Sequence, residues 1–260
     1  VSELEKIITD AYALATTGRK GPVLIDIPKS VQKDTWDYQG SSVSQVAPRK
    51  CRVNLEEAAE AIRRCEKPYI YCGGGVVAAG AGEEVLALSK KLSAPVGLSM
   101  MGISAIPRSY PLNLGMSGMH GKYAATVAQS KADLIIAAGV RFSDRATGSV
   151  PEYVKNCTVV HIDIDEAELG KNVPSIIELC GDSRELLRAL AEAVPEKRNE
   201  EWLEFVKAHK EKDDQNGDGE RFSPRNIIGR VRNFCGDETV VATDVGQHQM
   251  WVMQHYAFEK

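Results

Sequence analysis

Apolar side chains recur with helical spacing at Leu4, Ile7, Ile8, Ala11, Leu14 and Ala15, which predicts a helix over 3–16 stopped by Gly18. The run Gly21-Pro22-Val23-Leu24-Ile25-Asp26-Ile27-Pro28 then predicts a short buried strand closed by proline. Periodicity is lost across 29–53, where a Gly-Ser-Ser cluster predicts a linker. From Asn54 onward, helical and strand-like segments alternate. Asn54 can cap a helix through Ile62, and Pro68-Tyr69-Ile70-Tyr71-Cys72 reads as a strand. A helix over 81–92 precedes strand Pro95-Val96-Gly97-Leu98. A glycine-rich turn leads to another helix, then to strand Asp133-Leu134-Ile135-Ile136-Ala137-Ala138. A strand over 157–164 follows, and Leu179-Cys180-Gly181-Asp182 reads as a strand end feeding a helix over 183–193. This alternation predicts parallel βαβ units: an α/β fold with a doubly wound parallel sheet and helices on both faces.

The charge-rich stretch 195–222 predicts a helix and then an exposed linker. Beyond it, Ser223-Pro224 starts a helix, Thr239-Val240-Val241-Ala242-Thr243 reads as a strand, and Gly246-Gln247-His248 opens another helix. Neither end of the chain carries enough elements to bury its own faces, so both are expected to be partial α/β units of a larger fold.

Composition narrows the classes. The 260 residues are 43% hydrophobic and 26% charged, as in soluble globular proteins. A net charge of −4 gives no reason to expect nucleic acid or an anionic membrane as partner. No apolar run approaches the roughly 20 residues that span a bilayer, and the polar start Val1-Ser2-Glu3-Leu4-Glu5-Lys6 is not a signal peptide. Six cysteines lie without CxxC spacing, which points to reduced thiols and a cytoplasmic home. No cysteines or histidines share ligand spacing, so no metal ligand is expected.

The chemistry concentrates in three glycine-punctuated turns. Gly73-Gly74-Gly75 follows a strand and can cradle a phosphate or simply turn the chain. In Gly118-Met119-His120-Gly121 a soft apolar contact sits beside a polar donor, although a helix-start loop with a surface histidine reads equally well. Gly139-Val140-Arg141-Phe142-Ser143-Asp144-Arg145 ends an apolar strand with two guanidinium groups, which suit a pyrophosphate or carboxylate. The alternative is a surface ion-pair cluster with Asp144 as counter-ion. In His161-Ile162-Asp163-Ile164-Asp165, Asp163 is a candidate for ribose hydroxyls and Asp165 for a helix cap. Asn216-Gly217-Asp218-Gly219 lies in the charged stretch with no strand before it and reads as a loop.

Five segments in order, residues 18–29, 118–121, 139–148, 161–172 and 245–251, resemble the catalytic subunit of acetohydroxyacid (acetolactate) synthase, a thiamine diphosphate enzyme. The resemblance implies that 1–28 is the tail of a pyrimidine-binding domain, 29–53 a linker and 54–195 a central FAD domain. A charged linker at 196–222 and the start of a diphosphate-binding domain at 223–260 would follow. The implied reaction decarboxylates pyruvate on thiamine diphosphate and joins the hydroxyethyl unit to a second 2-keto acid, in branched-chain amino-acid synthesis. FAD would be largely structural there, and Mg2+ would accompany thiamine diphosphate.

Carried over by this resemblance, FAD would meet Gly73, Gly74, Gly75, Ser99, Met100, Met101, Gly118, Met119 and His120. Arg141, Asp144 and Arg145 would line the isoalloxazine and ribityl side, with Asp163, Ile164, Gly181 and Asp182 at the adenosine end. Gly246, Gln247 and His248 would face the diphosphate of thiamine diphosphate.

The chain departs from the pattern at Ser143, where the family usually has Asp, and near Gln45, where an arginine is usual but only Arg49 and Arg52 lie close. The family's catalytic glutamate would precede residue 1 and its magnesium motif would follow residue 260, so no catalytic residue is named and the chain alone is expected to be inactive. The implied partners are 2-keto acids and further copies of the chain, with a regulatory subunit left open. Two other readings stand beside this one: a non-catalytic FAD or nucleotide-binding module, and a related thiamine enzyme such as glyoxylate carboligase.

Overall fold

The computed structural model describes residues 1–38, 40, 53–173, 176–215 and 222–259. The chain forms two compact units, Val1–Cys51 and Arg52–Lys260.

In the first unit, α1 (Leu4–Thr16) and α2 (Lys29–Lys33) are helical. The strand expected over 21–28 does not form. Its backbone has no ladder partner among the described residues, and Leu24 is 89% exposed. An apolar run makes a strand only when a neighbour accepts its backbone hydrogen bonds. Most of the linker expected over 29–53, with Gln45, Arg49 and Arg52, lies outside the described residues.

The second unit is built on six parallel strands: β1 (Pro68–Cys72), β2 (Val96–Leu98), β3 (Asn113–Met116), β4 (Leu134–Ala138), β5 (Thr158–Asp163) and β6 (Ile176–Cys180). They lie in the order β3-β2-β1-β4-β5-β6, the arrangement of a doubly wound α/β sheet. The helices are α3 (Leu55–Arg64), α4 (Gly74–Ala79), α5 (Gly82–Leu92), α6 (Tyr123–Lys131), α7 (Asp144–Thr147), α8 (Val150–Tyr153), α9 (Ser183–Ala193), α10 (Glu200–Gln215), α11 (Pro224–Phe234) and α12 (Gln247–His255).

Each central strand is buried on both sides, so its alternate residues feed two cores. Ile70, Cys72, Ile136, Ala138 and Ile162 face a core shared with Ile62 of α3, Leu88 of α5 and Leu187 of α9. Tyr69, Tyr71, Ile135, Ala137 and Val159 face the other, with Ala125 of α6 and Trp202 and Val206 of α10. The charged sequence of α10 thus conceals a docked face: Trp202 is buried, donates its indole N–H to the Pro68 carbonyl at 3.1 Å, and stacks on Phe205.

Several local expectations are corrected. Asn54 sits at the start of α3, but its side chain makes no capping bond. The segment 239–243 is not a strand, and Val240 is 92% exposed; like 21–28 it has no neighbouring strand among the described residues. The second glycine turn, too, follows a strand, β3, whose Asn-Leu-Gly-Met sequence lacks the apolar run that marks the neighbouring strands. Ser223, by contrast, caps α11 by accepting from the Asn226 amide. Cys65, Cys72, Cys157 and Cys235 are free thiols. Among the described residues no helix is long and apolar enough to cross a membrane.

Candidate cofactor crevice

The strand order reverses between β1 and β4, and such a switch point opens a crevice at the carboxyl ends of a parallel sheet. All six strands end there in segments expected to bind. Gly73, Gly74 and Gly75 follow β1, Ser99, Met100 and Met101 follow β2, and Gly118, Met119 and His120 follow β3. Arg141, Asp144 and Arg145 follow β4, Asp163 ends β5 with Ile164 next, and Gly181 and Asp182 follow β6.

The turns pack against one another through backbone. Gly73 N–H donates to Ala138 O at 2.9 Å, Gly75 N–H to Gly139 O at 3.1 Å, and Gly139 N–H to Ile162 O at 2.8 Å. A Cβ on Gly139 would lie 2.4 Å from Gly75 Cα, and one on Gly73 would lie 2.0 Å from Gly139 O. The second turn rests on the third in the same way: Met119 N–H donates to Arg145 O at 2.9 Å. These glycines therefore let the backbones of neighbouring turns touch, a use the sequence does not distinguish from approach to a ligand.

The third turn carries the charge. Phe142 adopts φ +47°, a left-handed conformation that costs a non-glycine residue about 1–2 kcal/mol. Its ring is buried against His161, with centroids 5.0 Å apart, and against Tyr71 and Tyr153. With Phe142 pinned inward, Arg141, Ser143, Asp144 and Arg145 are exposed. Asp144 Oδ1 accepts from the Arg145 amide at 2.9 Å, and neither guanidinium has a carboxylate within ion-pair distance among the described residues. That removes the surface ion-pair cluster with Asp144. Met100, Met101, Met119 and Ile164 add exposed apolar side chains to the same end of the sheet.

The remaining acids have local duties. Asp163 is buried; Oδ1 accepts from the Asp165 amide at 2.9 Å, and burial pushes its carboxyl above the usual range. Asp165 caps the turn Glu166–Glu168 by accepting from the Ala167 amide. Asp182 caps α9 through the amides of Arg184 and Glu185. Gly246, Gln247 and His248 stand at the start of α12, and no hydrogen bond or ion pair among the described residues links them to the turns. The same helix does reach the second turn further along, where Gln254 donates to His120 O at 2.7 Å. The Gly-Asp-Gly at 217–219 lies outside the described residues. A cleft of about 460 Å³ opens at the opposite, amino end of the sheet, between Glu57, Glu60, Arg64 and Asp133, away from all these segments.

Three residues that brace the crevice were not singled out from sequence. Phe142 anchors the third turn, His161 Nε2 bonds the Val140 carbonyl at 2.8 Å, and Asn172 Nδ2 donates to the Arg141 carbonyl at 2.7 Å. The signal in the sequence was membership of two segments, with Phe142 inside 139–148 and His161 and Asn172 bounding 161–172.

Residues 55–190 match the thiamine pyrophosphate enzyme central domain. The chain belongs to the thiamine pyrophosphate enzyme family. It is 36% identical to the acetolactate synthase large subunit of Corynebacterium glutamicum, over all of this chain and 44% of that protein. It is 34% identical to the chloroplastic acetolactate synthase 2 of Zea mays, over all of this chain and 43% of the relative. The probable acetolactate synthase large subunit of Methanocaldococcus jannaschii is 36% identical over 98% of this chain and 46% of its own length. The chain thus spans less than half the length of the curated relatives it matches.

Proposed function

We propose that this chain supplies the flavin-seating part of an acetolactate synthase catalytic subunit. In the complete enzyme pyruvate would be decarboxylated and its two-carbon unit joined to a second 2-keto acid. Residues 54–195 would be the FAD domain, flanked by parts of the pyrimidine-binding domain (1–28) and of the diphosphate-binding domain (223–260). The observation that carries the reading is the convergence of all six strand ends on one crevice with two guanidinium groups that have no carboxylate partner among the described residues.

The donor set fits FAD. Arg141 and Arg145 can each make charge-assisted bonds to a pyrophosphate, worth about 1.5–3 kcal/mol apiece. Met100, Met101 and Met119 offer polarizable apolar surface to a flat ring system. Asp163, held above the usual carboxylate range, is suited to hydrogen-bond a ribose hydroxyl rather than to face a phosphate. FAD would serve here as a structural group, held and shielded by these residues. Thiamine diphosphate, with Mg2+, would supply the decarboxylation chemistry, and Gly246, Gln247 and His248 at the start of α12 would face its diphosphate.

Two assays test the reading. Purified chain incubated with FAD and then desalted should retain flavin. The same chain given pyruvate, thiamine diphosphate and Mg2+ should form no acetolactate, since it spans under half of its relatives. Acetolactate formation would show that the chain suffices for catalysis, and folded protein that retains no flavin would contradict the cofactor assignment.

A further inference from the structure

His161 is a buried, titratable side chain that no part of the proposed chemistry uses. It lies on β5, directly beside β4, and reaches under the turn that follows β4. A carbonyl can only accept, so the 2.8 Å contact with Val140 O fixes the proton on Nε2. Nδ1 is then a buried acceptor with no partner among the described residues. The ring stands edge-on to Phe142, at an interplanar angle of 74°. His161 thus contacts both residues flanking Arg141: it bonds the carbonyl before it and packs the left-handed ring after it.

We propose that His161 is a positioning residue, which holds the Val140–Phe142 turn so that Arg141 and Arg145 face the cofactor crevice. The proposal deepens the flavin reading and rests on it for its ligand. Without the Nε2–H donor, the Val140 carbonyl is stranded over a buried apolar cluster, and Phe142 loses the support that offsets its backbone strain.

The device is sensitive to acid. Burial holds the His161 ring below its ordinary pKa, opposed by its bond to the Val140 carbonyl and by Asp163 on the same strand, Glu178 on β6 and Glu168 after β5. Glu168 is itself paired with Lys171 at 3.0 Å. Tyr71 and Tyr153 face the Phe142 side of the cluster. A second proton would put a cation under the turn that carries both arginines.

The test uses the 260-residue chain. Nitrogen-15 NMR of the imidazole should show the Nε2–H tautomer, and hydrogen exchange should read protection at Gly139, Ala146 and Thr147, the bonded amides of the turn. His161→Phe, which keeps the ring packing but removes the donor, should lower that protection about tenfold and weaken FAD binding about tenfold. His161→Gln, which restores a donor that does not titrate, should keep protection near wild type and abolish the loss of protection on acidification. An Nδ1–H tautomer, or unchanged protection in His161→Phe, would overturn the proposal. If His161→Phe does not fold, the tautomer and the pH profile of His161→Gln decide it. Absence of FAD binding by the wild-type chain would count against the flavin reading alone, because the tautomer and exchange arms need no ligand.

Discussion

Gly139 shows why single residues at this crevice tolerate so little. Its φ of +59° suits glycine, and its α-carbon sits where any side chain would strike Gly75. Gly139→Ala should therefore lower stability by at least about 2 kcal/mol, from the left-handed backbone and the clash together. A fall in urea midpoint with unchanged slope would report it, and an unchanged midpoint would show that the turns need not touch. Acid acts on the same spot. The folded state holds His161 below its unfolded pKa, so the unfolded chain binds the proton more readily. That part of the stability is complete above the ordinary histidine pKa and is lost as pH falls through the folded value. Urea unfolding along an acid series should show His161→Gln losing less stability than wild type over that window. Parallel losses would contradict it. Sequence exposed the arginines of this turn, but a motif reports which residues occur together, not which one holds the other. His161 and Phe142 therefore stayed hidden until their contacts were visible.

Among the elements, legibility followed the availability of neighbours. Strands β1, β4 and β5 were readable because near-continuous apolar runs are what a strand buried on both faces requires. The equally apolar 21–28 and 239–243 read the same way, yet among the described residues neither has a neighbouring strand to pair with. Helix α10 failed in the other direction: its charged residues masked Trp202 and Val206, which are buried in the second core. Trp202→Ala should cost about 3–5 kcal/mol, as for other large buried aromatics. It should also raise hydrogen exchange along α10 before the sheet unfolds. A cost under about 1 kcal/mol would mean that α10 is not part of the folded unit.

For the molecule as a whole, the predicted doubly wound α/β sheet is the observed one, and its switch point positions the candidate site. Strand order and the mutual packing of the turns were not readable, because both depend on pairings between segments far apart in the chain. The family match is consistent with this architecture, and the short share of the relatives covered makes cofactor seating, not turnover, the property to measure. The most direct measurement is a flavin-fluorescence titration of the wild-type chain and of Arg141→Ala/Arg145→Ala, with folding of both verified by circular dichroism. Wild type should quench FAD fluorescence saturably, and the double variant should bind at least about a hundredfold more weakly, matching the loss of two charge-assisted contacts. Equal affinity in both proteins, or no quenching by folded wild type, would contradict a flavin seat built on these arginines.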